Sequence, residues 1–369
     1  LKREVSTFIV TEMMCHGAVC PGQDALGKAM QRSRPESYQP PYPAFQSHFA
    51  ADEPEVSMAS IGVQSVSEGP DAAALLDGWL ALLERAAEGA PRHVERARHV
   101  DRHGHVNELL LAYWRQPADQ CAFWRRGDVE TMAARRLTGP VGWWRESLNA
   151  PTTAVDGNYA LPDVNYGTAR YAEQKLEQFH AYYGSMRDRT PDYLAGRADG
   201  AGGALAETPL ESRGRRLRIE ALPDKLCWIR SGFGWDQARP DEQAAFIDQM
   251  LPVYRAGADY LAAHPLESNC VAMRLLDEVQ HGPDNGVQVE TIGWFLTLKD
   301  LERWTHSHPT HAAIYKGVFD YMRRFNFDVR LNLGHEVVVV PADGVEAEYS
   351  NCHPSTGFLP FFPSREIGG

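Results

Sequence analysis

Between Leu298 and Pro341 the apolar period of the chain changes once, and that change dictates a helix followed by a core strand. Apolar or histidine residues fall at Leu301, Trp304, His308, His311, Tyr315, Val318, Met322 and Phe325. Steps of three and four place them on one buried stripe of an amphipathic helix. Pro309 cannot donate an interior helical hydrogen bond but suits the first position of a helix. The spacing therefore predicts a break near His308 and a fresh helix from Pro309, with His311 facing inward in its first turn. The run VRLNLGHEVVVV that follows is β-branched and reads as a core strand. It carries His335 inward as well. Trp304 to Glu336 holds four of the fourteen histidines: His306, His308, His311 and His335. Two inward histidines on a helix and the next strand suggest a cofactor pocket. Hydrogen-bonded core histidines are the plainer alternative.

The rest of the second half has the same rhythm. Strands are expected at Lys225–Ser231, Cys270–Leu276 and Val287–Leu298, a helix at Pro240–Ala263, and the histidine helix and last strand close a βαββαβ order. The first half is compatible with that order. It has strands at Val56–Val66 and Val141–Leu148, helices at Asp71–Glu88 and Pro117–Arg136, and between them a strand through VNELLLAYW with a turn at Arg102-His103-Gly104. The expected fold is α+β: tandem ferredoxin-like βαββαβ halves forming a dimeric-type α+β barrel, with extra helices. Five stretches follow from this reading. They are an extended Pro-rich arm (1–50), the first half (51–150), a helical and loop insertion (151–215), the second half (216–345) and an aromatic tail (346–369). The insertion is expected to hold a helical run, TARYAEQKLEQFHAYYGSMRDRTPDYL, and a Gly/Ala-rich surface loop.

Composition removes several function classes. The formal charge is −12, which argues against a nucleic-acid surface. No apolar run approaches the ~18–20 residues of a membrane span, and LKREVSTFIVTEMM lacks the apolar core of a signal peptide. The six cysteines, at 15, 20, 121, 227, 270 and 352, are scattered as in a reduced cytoplasm, and Cys15 and Cys20 read as ordinary free thiols. No CxxCH permits covalent haem, and no GxGxxG or Walker lysine loop supports a nucleotide cofactor.

Taken as a set, the segments are similar to those of a known family. WTHSHPTHAAIYKGVFDYM followed by LNLGHEVVVVP, with CWIRSGFGW and YYGSMRDR upstream, PPYPAF early and NCHPSTGFLP late, resembles the aldoxime dehydratases from about Arg34 to Pro360. The resemblance implies a b-type haem in the second half, ferrous in the active form, and dehydration of a small-molecule aldoxime to a nitrile. It implies His311 as the haem ligand, Ser231 as the residue that hydrogen-bonds the oxime hydroxyl and His335 as the distal acid–base residue. It also implies that Arg187 or Arg189, with Glu146, orients His335. A cytoplasmic homodimer is the expected form.

The chemistry suits those residue types. An aldoxime, R–CH=N–OH, must lose hydroxide from nitrogen and a proton from carbon, and hydroxide leaves poorly unless it is protonated. Histidine has a reference pKa near working pH (~6.5) and is the natural donor. Three other readings stay open. HxHxxH at His306, His308 and His311, with His335, could hold zinc for a hydrolase, although Pro309 disturbs a single helical face. A haem peroxidase on a related barrel and a non-catalytic haem carrier are the others.

Overall fold

The structure is a computed structural model that describes residues 31–85, 87–208, 210–235, 237–280 and 288–368. The arm's first thirty residues, with Cys15 and Cys20, lie outside the described residues. From residue 31 the chain runs along the surface into β1 (Phe45–His48). The first half is β2 (Glu55–Ser65), α1 (Pro70–Glu84), β3 (His93–Val100), β4 (Val106–Trp114), α2 (Pro117–Arg125), α3 (Gly127–Ala133) and β5 (Val141–Pro151). A connecting region contains β6 (Val155–Tyr159), β7 (Glu173–Leu176), α4 (Ser185–Arg189), α5 (Pro191–Leu194) and β8 (Arg216–Ile219). The second half is β9 (Leu226–Gly234), α6 (Pro240–Ala245), α7 (Leu251–Ala263), α8 (Pro265–Ser268), β10 (Cys270–Gln280), β11 (Gln288–Phe295), α9 (Leu298–Ser307), α10 (Pro309–Arg324) and β12 (Asn332–Val340). β13 (Val345–Ser350) and β14 (Ser364–Glu366) follow.

Strand pairing shows the two halves directly. The spatial order β5-β2-β4-β3 is repeated, in mirror sequence along the sheet, by β10-β11-β9-β12. In each half this is the fourth, first, third and second strand of a βαββαβ unit, the ferredoxin-like arrangement. The halves meet where β3 pairs antiparallel with β10, Ala97 opposite Val279. The tail packs back onto the body: β13 adds to β5, and Phe358 and Leu359 are buried. The continuous sheet ends on β14 and β7, and the helix-free faces of the two halves enclose one core.

Side-chain alternation along the strands sorts residues between two layers. On β9, Leu226, Trp228 and Arg230 face the other half, where Met58, Leu109, Leu111 and Trp144 fill the shared core. Cys227, Phe233 and the residues between them of the same parity face the helices, with Phe246, Tyr254, Leu261 and Leu301. Arg230 is almost fully buried and donates at 2.6 Å to each of Glu95, Glu290 and the Tyr113 hydroxyl. A buried guanidinium is tolerable only with such partners.

Two expectations are corrected. Thr168–Leu194 does not form a helical run: it gives a short 3₁₀ turn, β7, and the brief helices α4 and α5. The cause is local, since Gly167, Ala181 and Gly184 all take positive φ, which an α-helix cannot include. β6, with sequence VDGNY, falls in a stretch expected to be loop. It is a central strand between β12 and β1.

Candidate active site

β9, β12 and β6 lie side by side, so their register decides which polar residues meet. Thr291 on β11 is opposite Ser231 on β9, Ser231 is opposite His335 on β12, and His335 is opposite Asn158 on β6. Directly opposed residues project to the same face. Four strands thus present one polar row, Thr291–Ser231–His335–Asn158, to the helix side. Ile229 and Val337, and Phe233 and Leu333, form apolar rows above and below it. The row lines a cavity of about 280 Å³ closed by α7, α9 and α10. Its other walls include Leu261, Trp304, Ile314, Val318 and Phe319.

α10 brings His311 to the opposite wall. The helix breaks where expected: His308 is extended (φ −83°, ψ 134°) and Pro309 starts the new helix. His311 sits in the first turn and lines the cavity. Its Nδ1 is buried without a hydrogen-bond partner. Burial pushes its pKa down to about 4, against the opposing pull of the Thr305 carbonyl. A neutral imidazole facing the cavity from an apolar wall is a donor suited to a metal. Gly257 and Gly317 let α10 settle close, since a Cβ at either would stand 2.7 Å from Ile314 and 2.6 Å from Met250.

The other two histidines of the cluster do different things. His308 accepts from the Thr310 amide, caps α10 and stacks on Tyr260 with ring centres 3.8 Å apart. His306 is half-buried and lies 5.3 Å from the Tyr183 ring. Among the described residues no three His, Cys, Asp or Glu side chains converge as metal ligands. The HxHxxH reading therefore loses its geometry at His308.

His335 Nε2 lies 2.9 Å from Asp156 Oδ2 and 3.3 Å from Arg189 Nη2. Asp156 also accepts from Arg189 Nε and Nη2, each at 2.7 Å, and from Thr190 Oγ1 at 3.0 Å. Burial would raise the Asp156 carboxyl, but Arg189 and His335 outweigh it and hold it far below the usual carboxylate range. An ionised Asp156 accepts only, so His335 carries a proton on Nε2 and its Nδ1 is the nitrogen left for other work. The Ser231 carbonyl accepts from the Tyr254 hydroxyl at 2.6 Å, which ties β9 to α7 at this point.

Four of the six expected site residues share the cavity: His311, Ser231, His335 and Arg189. Arg187, the other arginine of MRDR, instead binds Glu302 and Asp199. Glu146 is not beside His335. Its carboxylate accepts from Arg274, Trp294 and Tyr349 in the shared core, and Asp156 is the carboxylate that meets the histidine. The WRE segment belongs to β5, whose pairing with β2 and β13 carries Glu146 to the helix-free face. Sequence reading misses Asp156, Asn158 and Thr291. The only signal available is the i, i+2 polar pair in VDGNY, which is weak because Asp, Gly and Asn are poor strand formers.

The model of haem-containing dehydratases matches residues 59–358; the chain belongs to that family, whose cofactor is haem. Among curated proteins it is 31% identical to the phenylacetaldoxime dehydratase of Bacillus sp. (strain OxB-1), over 91% of this chain and 96% of that one. It is 30% identical to the aliphatic aldoxime dehydratase of Pseudomonas chlororaphis, over 90% and 94% of the two chains. A crystal structure of an aldoxime dehydratase in complex with butyraldoxime superposes with a TM-score of 0.80 at 27% identity, covering 90% of this chain and 93% of that one. The neutral His311 ring on the cavity wall, with its Nδ1 buried and without a hydrogen-bond partner, fits the family's haem.

Proposed function

We propose that the chain dehydrates aldoximes to nitriles with a ferrous b-type haem held by His311. The observation that carries this reading is the register: Ser231 and His335 stand opposite one another on adjacent strands and face the cavity that His311 lines. When bound, ferrous haem supplies an electron-rich Lewis-acid centre for the oxime nitrogen.

The protein's own groups supply position and protons. The apolar rows of β9 and β12 and the inner faces of α7 and α10 exclude water and accept the hydrocarbon part of the oxime. The Ser231 hydroxyl holds the oxime oxygen. His335, protonated on both nitrogens, keeps its Nε2 proton on Asp156 and delivers the Nδ1 proton to that oxygen as the N–O bond breaks, and water leaves. The neutral Nδ1 then takes the proton from the oxime carbon as the nitrile triple bond forms, which restores the imidazolium. One proton goes out, one comes back, and R–CH=N–OH becomes R–C≡N and water. Arg189 keeps Asp156 ionised, so the carboxylate stabilises the imidazolium without taking its proton.

The test is direct. Haem-loaded protein, reduced under anaerobic conditions, is mixed with phenylacetaldoxime or butyraldoxime and the nitrile is quantified. Nitrile formation that falls away when the iron is oxidised is the expected result. Equal rates in the ferric and ferrous forms would remove the ferrous requirement, and no nitrile from either oxime would remove the activity.

A further inference from the structure

The three charged residues of MRDR reach in three directions. Arg187 binds Glu302 on α9, and Arg189 binds Asp156 at the site. Asp188, between them, is buried and accepts from the arm: from the Ser33 amide at 3.0 Å, from the Ser33 hydroxyl at 2.5 Å, and also from the Tyr182 hydroxyl at 2.5 Å. Arg32 Nε donates to the Asp188 carbonyl at 2.9 Å. Further along the arm, the Tyr38 hydroxyl donates to the His180 carbonyl at 3.0 Å, and Gln178 donates to the carbonyls of Glu36 and Tyr38. Tyr42 packs against His180 and Phe319, and Tyr42 and Ala44 are part of the cavity wall. The arm is therefore bonded to the segment that holds Arg189 and also completes the chamber.

α4 has only five residues and follows Gly184 at φ 84°, so it has little rigidity of its own. Its position is set by what its side chains grip. We infer that Asp188 is a positioning residue for His335, and that residues 32–44 form a strap whose docking fixes Arg189, and through it Asp156, against the acid–base histidine. The inference rests on the role given to His335 above. Docking of the strap then both closes the chamber and assembles the proton donor, so a site left open to solvent would lack its oriented acid.

The expected effects follow from the bonds. In Asp188→Asn the carboxylate gripped by Ser33 and Tyr182 becomes a neutral amide, so these charge-assisted hydrogen bonds weaken and the joint loosens. Ser33→Ala removes one bond and is the milder variant. A misplacement of about 1 Å at a reacting group costs on the order of 10²-fold in rate. Asp188→Asn haem-loaded enzyme should lose about that in kcat with little change in KM, and Ser33→Ala should lose less, about threefold to tenfold, in the same direction. The groups facing His335 are Asp156 from β6, Arg189 from α4 and His311 from α10. A loss in kcat with KM unchanged is what a misplaced reacting group gives, and a lost substrate contact would raise KM instead. Haem content and the Soret spectrum should stay at wild-type values. Unchanged kcat in both variants would overturn the inference, as would a kcat loss fully matched by haem loss. The underlying reading has its own control: if His335→Ala keeps the wild-type kcat, the acid is elsewhere and that reading fails first.

Discussion

Asp156 and Glu146 are both buried carboxylates gripped by arginine, and they predict opposite phenotypes. Asp156→Asn keeps the shape at His335 but removes the charge that orients and stabilises the imidazolium. It should lower kcat by about 10²–10⁴, read per bound haem. Glu146→Gln should instead cost about 3 kcal/mol of stability by leaving Arg274 less well paired in the core, with kcat per haem unchanged; denaturant titration and steady-state rates separate the two. The pH signature differs too. Because Asp156 titrates lower in the folded chain than when unfolded, its stabilising contribution is complete above about pH 4 and is lost as pH falls below that value. The Asn variant should lack that part of the acid-side loss, and an equal acid slope in both proteins would contradict the assignment. Which carboxylate meets His335 is not legible in the sequence, because it depends on which sheet face β5 and β6 present. His311 and His335 are legible because the helical stripe and the strand after it turn them inward, whereas Ser231 is legible only through the resemblance of CWIRSGFGW.

At the level of elements, α10 and β6 mark the two extremes of legibility. α10 is announced by a three-and-four stripe and by Pro309, so its start and the inward turn of His311 follow from the amino-acid order alone. Its stripe is only half-buried, because it lines a chamber and not a packed core. β6 carries Asp, Gly and Asn for the site and no β-branched pattern beyond Val155, so local propensity points to a loop and tertiary pairing overrides it. The cap on α10 gives a prediction. His308→Asn, a substitution to a good N-cap residue, should cost under about 1 kcal/mol and leave haem binding intact, by thermal melts and by the Soret band. Loss of haem from this variant would make His308 a ligand and revive the HxHxxH reading.

For the whole molecule, the tandem arrangement is legible in element order, and its joint is not. The halves are tied by β3–β10 pairing and by Arg230, which reaches from β9 to Glu95 on β3 and Glu290 on β11. No local pattern reveals such a cross-half cluster. Arg230→Met should cost about 3–5 kcal/mol, because it strips the cation from two buried carboxylates; a midpoint shift in urea under about 1 kcal/mol would show that the cluster is not the tie. The site hangs on this frame, since β9 carries Arg230 on one face and Ser231 on the other. The central claim is that His335 delivers the proton that lets water leave. Its most direct test is a single turnover by rapid mixing of reduced, haem-loaded enzyme with butyraldoxime, wild type beside His335→Ala. The account predicts unchanged haem content and nitrile formation slowed by about 10²–10⁴ in the variant. Nitrile at a rate near wild type from His335→Ala would contradict it.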